Sequence, residues 1–166
     1  MSTSNPYALD LGTNTGFAFR LTADKIVAGT WEFPSKKKGQ NCCTVDPRLL
    51  LFREKLLFVI ATIKPTHFVY EDVKFVRSQA QAHLWSGFRA VLWLVAHDHK
   101  IPCLCVPVQT LKKFATGHGN ADKDAMALAL HEAVLKGDMS LDVTALDDNA
   151  VDAVALLKWA EAQLVS

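Results

Sequence analysis

The sequence predicts an α/β fold: a mixed sheet, an antiparallel meander followed by parallel strands, flanked by helices. Three observations lead there. The chain opens with three strand-like stretches between Tyr7 and Phe33, separated by turn residues. Helical and strand patterns then alternate, as they do when crossovers join parallel strands. No internal repeat, low-complexity tract or linker divides the 166 residues, so one domain spanning 1–166 is expected.

The first strand is Tyr7-Ala-Leu-Asp-Leu11, and Gly12 to Gly16 reads as a turn. Phe17-Ala-Phe19 begins the returning strand of a hairpin, and Lys25 to Phe33 supplies a third strand. Pro34 to Gln40 is a loop with three consecutive lysines, a solvated tip or a phosphate contact. Asp46-Pro47 starts a helix, Asp as N-cap and Pro at the first helical position. Leu49, Phe52, Leu56, Ile60 and Ile63 keep helical spacing until Lys64-Pro65 stops it. His67 to Glu71 is a short buried strand ending in a carboxylate. Ser78 to His99 forms a long helix, apolar on more than one face, which suits contact with a second subunit. Ile101 to Val106 is the next strand, ended by Pro107. A short helix from Thr110, a Gly-rich break at Gly117-His-Gly119 and a helix over about 121–136 follow. The last helix is entered through Leu146-Asp-Asp-Asn and runs to about Leu164.

A net charge of +1 gives no general attraction to nucleic acid, so any such surface must come from local clustering. Cys42-Cys43 and Cys103-x-Cys105 have neither zinc-site nor secreted-scaffold spacing. Cys103 and Cys105 share one face of a strand and are expected to pack. The N-terminus lacks an apolar signal core and no apolar run spans a bilayer, so the expectation is a cytoplasmic protein with no membrane partner.

Four acidic residues recur at element ends: Asp10, Glu71, Asp148 and Asp152. An Asp inside a core strand is costly unless paired or bound to a cation. Asp148 and Asp152, four residues apart, lie only about 40° from each other around a helix. Asp152 continues into Ala155 and Leu156, which pack, so its face turns toward the sheet. Asp147 or Asp148 also suits a helix cap. Clustered carboxylates repel unless divalent cations neutralise them. An all-oxygen set favours Mg2+, with Mn2+ as substitute, over zinc. Two such ions about 4 Å apart activate a water and stabilise the leaving oxygen of a phosphodiester.

Four stretches together resemble the RuvC-like Holliday junction resolvases of the ribonuclease H-like superfamily. They are Ala8 to Gly16, Phe68-Val-Tyr-Glu71, Lys112 through Gly117 to Lys123, and Asp148 to Ala155, covering the chain from Tyr7 to about Trp159. The resemblance implies a ribonuclease H-like sheet and metal ligands at Asp10, Glu71 and Asp152. Bacterial members carry the fourth ligand three residues before the last Asp, where this chain has Asn149. Asp148 is the preferred replacement, with Asn149 a weaker neutral oxygen. The resemblance also puts Lys112 and Lys123 at the scissile region, where a lysine stabilises developing negative charge. It puts an aromatic wedge near Phe75, beside Lys74 and Arg77, which suit backbone contacts. His118 in its Gly-flanked loop is a further DNA-contact candidate. The implied activity is paired, symmetric hydrolysis of a four-way DNA junction by a homodimer.

Asp10 to Gly16 also looks like the first nucleotide loop of the sugar kinase, actin and chaperone ATPases, but those need two such domains. A related nuclease acting on RNA or other branched DNA would share fold and site. A non-catalytic DNA-binding module is the third alternative, kept open by Asn149.

Overall fold

A computed structural model of the chain describes residues 4–34, 45–72, 78–135 and 146–164. The elements run β1 (Pro6–Asp10), β2 (Asn14–Arg20), β3 (Ile26–Glu32), α1 (Pro47–Ile63), β4 (His67–Asp72) and α2 (Gln79–Asp98). They continue as β5 (Cys103–Pro107), α3 (Val108–Thr116), α4 (Lys123–Leu135) and α5 (Asp148–Leu164). The sheet order is β3-β2-β1-β4-β5. β1, β2 and β3 pair antiparallel, while β4 joins β1, and β5 joins β4, in parallel. This is the mixed sheet the sequence predicts.

Strand alternation sorts the side chains into two unlike layers. Tyr7, Leu9, Phe19, Phe33, Phe68 and Tyr70 pack with Phe52 of α1 and Phe88 of α2. Tyr7 stacks on Phe19 at 5.4 Å, and Phe52 meets Phe88 edge-on at 5.0 Å. On the other side Ala8, Ala18, Val69 and Val106 meet Ala153, Val154 and Leu157 of α5. Small residues on both partners let α5 lie close against the strands. Gly16 marks the tightest point: a Cβ there would run into the Asn149 carbonyl at the start of α5.

Local chemistry sets the element ends. Asp46 accepts from the Arg48 N–H at 3.0 Å and so caps α1, and Lys64, at φ 53°, closes it. Ser78 caps α2 by accepting from the Gln81 N–H at 3.2 Å. β5 starts two residues later than expected, because Ile101 is still tied to α2 through Ala96 O at 2.9 Å. α3 starts at Val108, earlier than the expected Thr110, directly off the Pro107 that ends β5. Gly117, at φ 80°, ends α3 with its N–H on Lys113 O at 2.9 Å.

Only half of the cysteine expectation holds. Cys103 packs against the aromatic layer, whereas Cys105 is exposed, because β5 is an edge strand. Cys42, Cys43 and the lysine loop lie outside the described residues. No helix among the described residues is long and apolar enough to cross a membrane.

Candidate active site

β1 and β4 are adjacent and parallel, with Leu9 opposite Tyr70. One step further along both strands brings Asp10 and Glu71 to the same carboxyl end, the edge where open α/β sheets hold ligands. Ala8 and Val69 belong to the layer under α5. Two residues on, the strand period gives Asp10 and Glu71 that same side. α5 then supplies Asp152.

Glu71 is partly buried, and its carboxyl is pushed up to about 7. Burial is the main cause, the negative charges of Asp152 and Asp72 add to it, and Lys112 opposes it. Glu71, Asp152 and Lys112 are therefore within electrostatic reach of one another across β4, α5 and α3. Asp10 sits at the neighbouring strand end and lines a cavity with Asn149. Among the described residues no three His, Cys, Asp or Glu side chains stand close enough to form a ready-made metal cage.

The start of α5 separates three adjacent polar residues by role. Asp147 is the cap: its carboxylate accepts from the Ala150 N–H at 2.9 Å and from the Thr30 hydroxyl at 2.6 Å. Burial pushes its carboxyl up, but these hydrogen bonds outweigh that and hold it below the ordinary range. Asp148 is exposed, whereas Asn149 is partly buried and lies over Gly16. Gly16 pairs with Asp10 across the hairpin, which is how Asn149 comes to Asp10's end of the sheet. Thr15, fully buried, staples the intervening turn by donating to Gly12 O at 2.6 Å.

No family model matches the sequence. Solved structures do match over the whole fold. RuvC of Thermus thermophilus, in complex with a Holliday junction substrate, aligns with a TM-score of 0.71 at 20% identity, covering 97% of both chains. The yeast mitochondrial Holliday junction resolvase aligns at 0.69 and 14% identity, over 98% of this chain and 81% of that one. A fowlpox virus resolvase, with its Holliday junction DNA, aligns at 0.55 and 10% identity, over 98% and 99%. The chain has the RuvC fold.

Within that RuvC fold the remaining sequence candidates fall unevenly. Lys112 is partly buried on α3 and acts on Glu71. Lys123 opens α4, whose N-terminus Asp122 caps by accepting from the Ala125 N–H at 2.9 Å. His118 is exposed, its N–H on the Thr116 hydroxyl at 3.2 Å. Lys74, Phe75 and Arg77 lie outside the described residues. Trp85, Gln81 and Asn14 share the cavity at Asp10, and the sequence does not single them out as site residues. Trp85 reads as one apolar position among many along its helix, and nothing local links it to Asp10.

Proposed function

We propose that this chain is a divalent-metal-dependent endonuclease that resolves four-way DNA junctions. It would do so by paired, symmetric phosphodiester hydrolysis as a homodimer. One observation carries the reading. A partly buried glutamate, raised to about 7 by burial and by Asp152, lies near the end of the strand next to Asp10 in a RuvC fold. A carboxylate at a strand end whose charge is opposed by a second carboxylate on α5 suits a cation better than it suits structure alone.

The donor set fits hard divalent cations, Mg2+ first and Mn2+ as substitute, because it is oxygen throughout. Asp10, Glu71 and Asp152 are the residues that would hold them. For the fourth oxygen the sequence prefers Asp148. The shared cavity of Asp10 and Asn149, and the exposure of Asp148, support Asn149 instead. When bound, such ions activate a water and offset charge on the leaving oxygen.

The protein's own side chains do the rest. Glu71 from the sheet and Asp152 from α5 act together on one side of the sheet. Lys112, near Glu71, offers positive charge to the phosphate as its negative charge grows. Lys123 is assigned the same part from the start of α4. Lys74, Phe75, Arg77 and His118 are assigned to the flanking DNA, Phe75 by stacking and the others by backbone contacts.

The test is cleavage of end-labelled four-way junctions against duplex, three-way and RNA–DNA hybrid substrates, with and without Mg2+. Symmetric, Mg2+-dependent nicks confined to the four-way junction are expected. Equal cutting of hybrid or duplex would move the assignment to another nuclease class. No cutting of any substrate would end it.

A further inference from the structure

The sheet end at Asp10 holds a cavity of about 290 Å3, lined by Thr13 of the hairpin turn and Asn14 at the start of β2, by Gln81, Leu84 and Trp85 of α2, and by Asn149. Asn14 and Gln81 are exposed at its border. Trp85 carries the Arg89 guanidinium 4.6 Å from its ring centre, and Arg89 lies 4.8 Å from the Trp93 ring. Trp93 in turn donates its indole N–H to the Tyr70 hydroxyl at 3.0 Å. The ladder of Trp85, Arg89 and Trp93 thus anchors the Trp85 ring from outside the cavity. The Trp85 indole N–H is buried and has no acceptor among the described residues. A buried donor left so costs stability and calls for an explanation.

We propose that this cavity receives one nucleobase of the strand being cut, on a nucleotide adjoining the phosphate at Asp10. Trp85, Asn14 and Gln81 would recognise it. The inference rests on the nuclease reading of the Asp10 end and adds a specificity site to it.

Four features select a base over other occupants. The volume is at the lower edge of the range for ligand cavities, about 300–1,000 Å3, and suits one ring system rather than a dinucleotide. Carboxamides offer a donor and an acceptor together, which is the pattern on a base edge. No Lys or Arg is among the described residues lining the cavity, so a phosphate would find no countercharge there. Trp85 adds a flat apolar body for stacking.

Two measurements test this. First, wild type, Trp85→Phe and the double variant Asn14→Ala/Gln81→Ala are given junctions carrying each of the four bases at the positions flanking the cut. Wild type should prefer one base at one flanking position by about tenfold, the scale of one good base contact. The variants should flatten that preference to about twofold or less while still binding junctions. A preference that survives in both variants, or a wild type indifferent to the base, overturns the proposal.

Second, the wild-type indole 15N–1H signal of Trp85, assigned by its loss in Trp85→Phe, is followed during addition of short single-stranded DNA. It should shift with normal oligonucleotides and stay put with abasic ones of the same length. Equal response to both overturns the pocket even if cleavage is normal. A base-dependent shift in a protein that cuts nothing would remove the nuclease reading and leave the pocket standing.

Discussion

Glu71 ties the site to a solution property that can be read without substrate. Its carboxyl sits near 7 in the folded chain, against an ordinary value of 4.5. The folded state therefore holds a proton that the unfolded state releases between those two values. By linkage, the contribution is favourable below pH 4.5 and is lost as pH rises to about 7, at a cost of up to about 3 kcal/mol. In EDTA, Tm should fall between pH 5 and pH 8, and Glu71→Gln should flatten much of that fall. Millimolar Mg2+ should restore wild type at pH 8 and do little at pH 5, where the carboxyl is protonated. A wild-type curve flat across this window would remove the buried-acid account. The chemistry has its own check at this scale. Asp10→Asn and Asp152→Asn should bind junctions with near-normal affinity yet cut them at least about a hundredfold more slowly, as when one electrostatic partner of a transition state is lost. For the fourth oxygen, Asn149→Ala should cost more activity than Asp148→Asn, and the reverse order would return the role to Asp148.

The elements show what a sequence discloses and where it stops. Asp46-Pro47, Lys64-Pro65 and Ser78 mark helix ends through bonds that span only a few residues, so they can be read from neighbours alone. The alternation in Tyr7-Ala-Leu-Asp likewise gives β1 two faces before any partner is known. Cys105 was beyond reach because its exposure depends on β5 being the sheet edge, a fact of strand order. Asn149 and Trp85 are further cases. Each acquires meaning from a long-range contact, with Gly16 for one and with the cavity at Asp10 for the other. In the sequence Gly16 looks like the end of a turn, but in the fold it is where α5 seats on β2. A methyl group there meets backbone, which cannot rotate away. Gly16→Ala should therefore destabilise the fold by at least about 2 kcal/mol and lower Tm by several degrees. It should also slow cleavage, since α5 carries Asp152. An unchanged melting curve would mean that α5 does not seat on the Gly16 backbone.

At the scale of the molecule, the proposed activity sets the assembly. A four-way junction has two equivalent strands to cut, related by a two-fold axis, and one chain offers one group of acids. Paired cutting then requires two chains related by the same symmetry. α2 has apolar surface for such a contact: Leu94 is 66% exposed and Trp93 47% exposed, on the helix whose other side is buried with Phe88 and Leu92. Light scattering should give the mass of a dimer. Leu94→Arg, which buries a charge in that interface but touches no core residue, should shift the mass toward one chain while leaving Tm nearly unchanged. The functional readout is a supercoiled plasmid extruding a cruciform. A dimer cuts both strands in one encounter and gives linear product, whereas a monomer leaves nicked circles that are linearised only slowly. Both forms should bind less tightly as salt rises, by about 0.9 log unit per tenfold salt for each phosphate contacted. The dimer should show the steeper slope because it spans more of the junction. A Leu94→Arg protein that remains dimeric would place the interface elsewhere. A wild-type monomer that still yields linear plasmid in one step would break the link between two-fold symmetry and paired cutting.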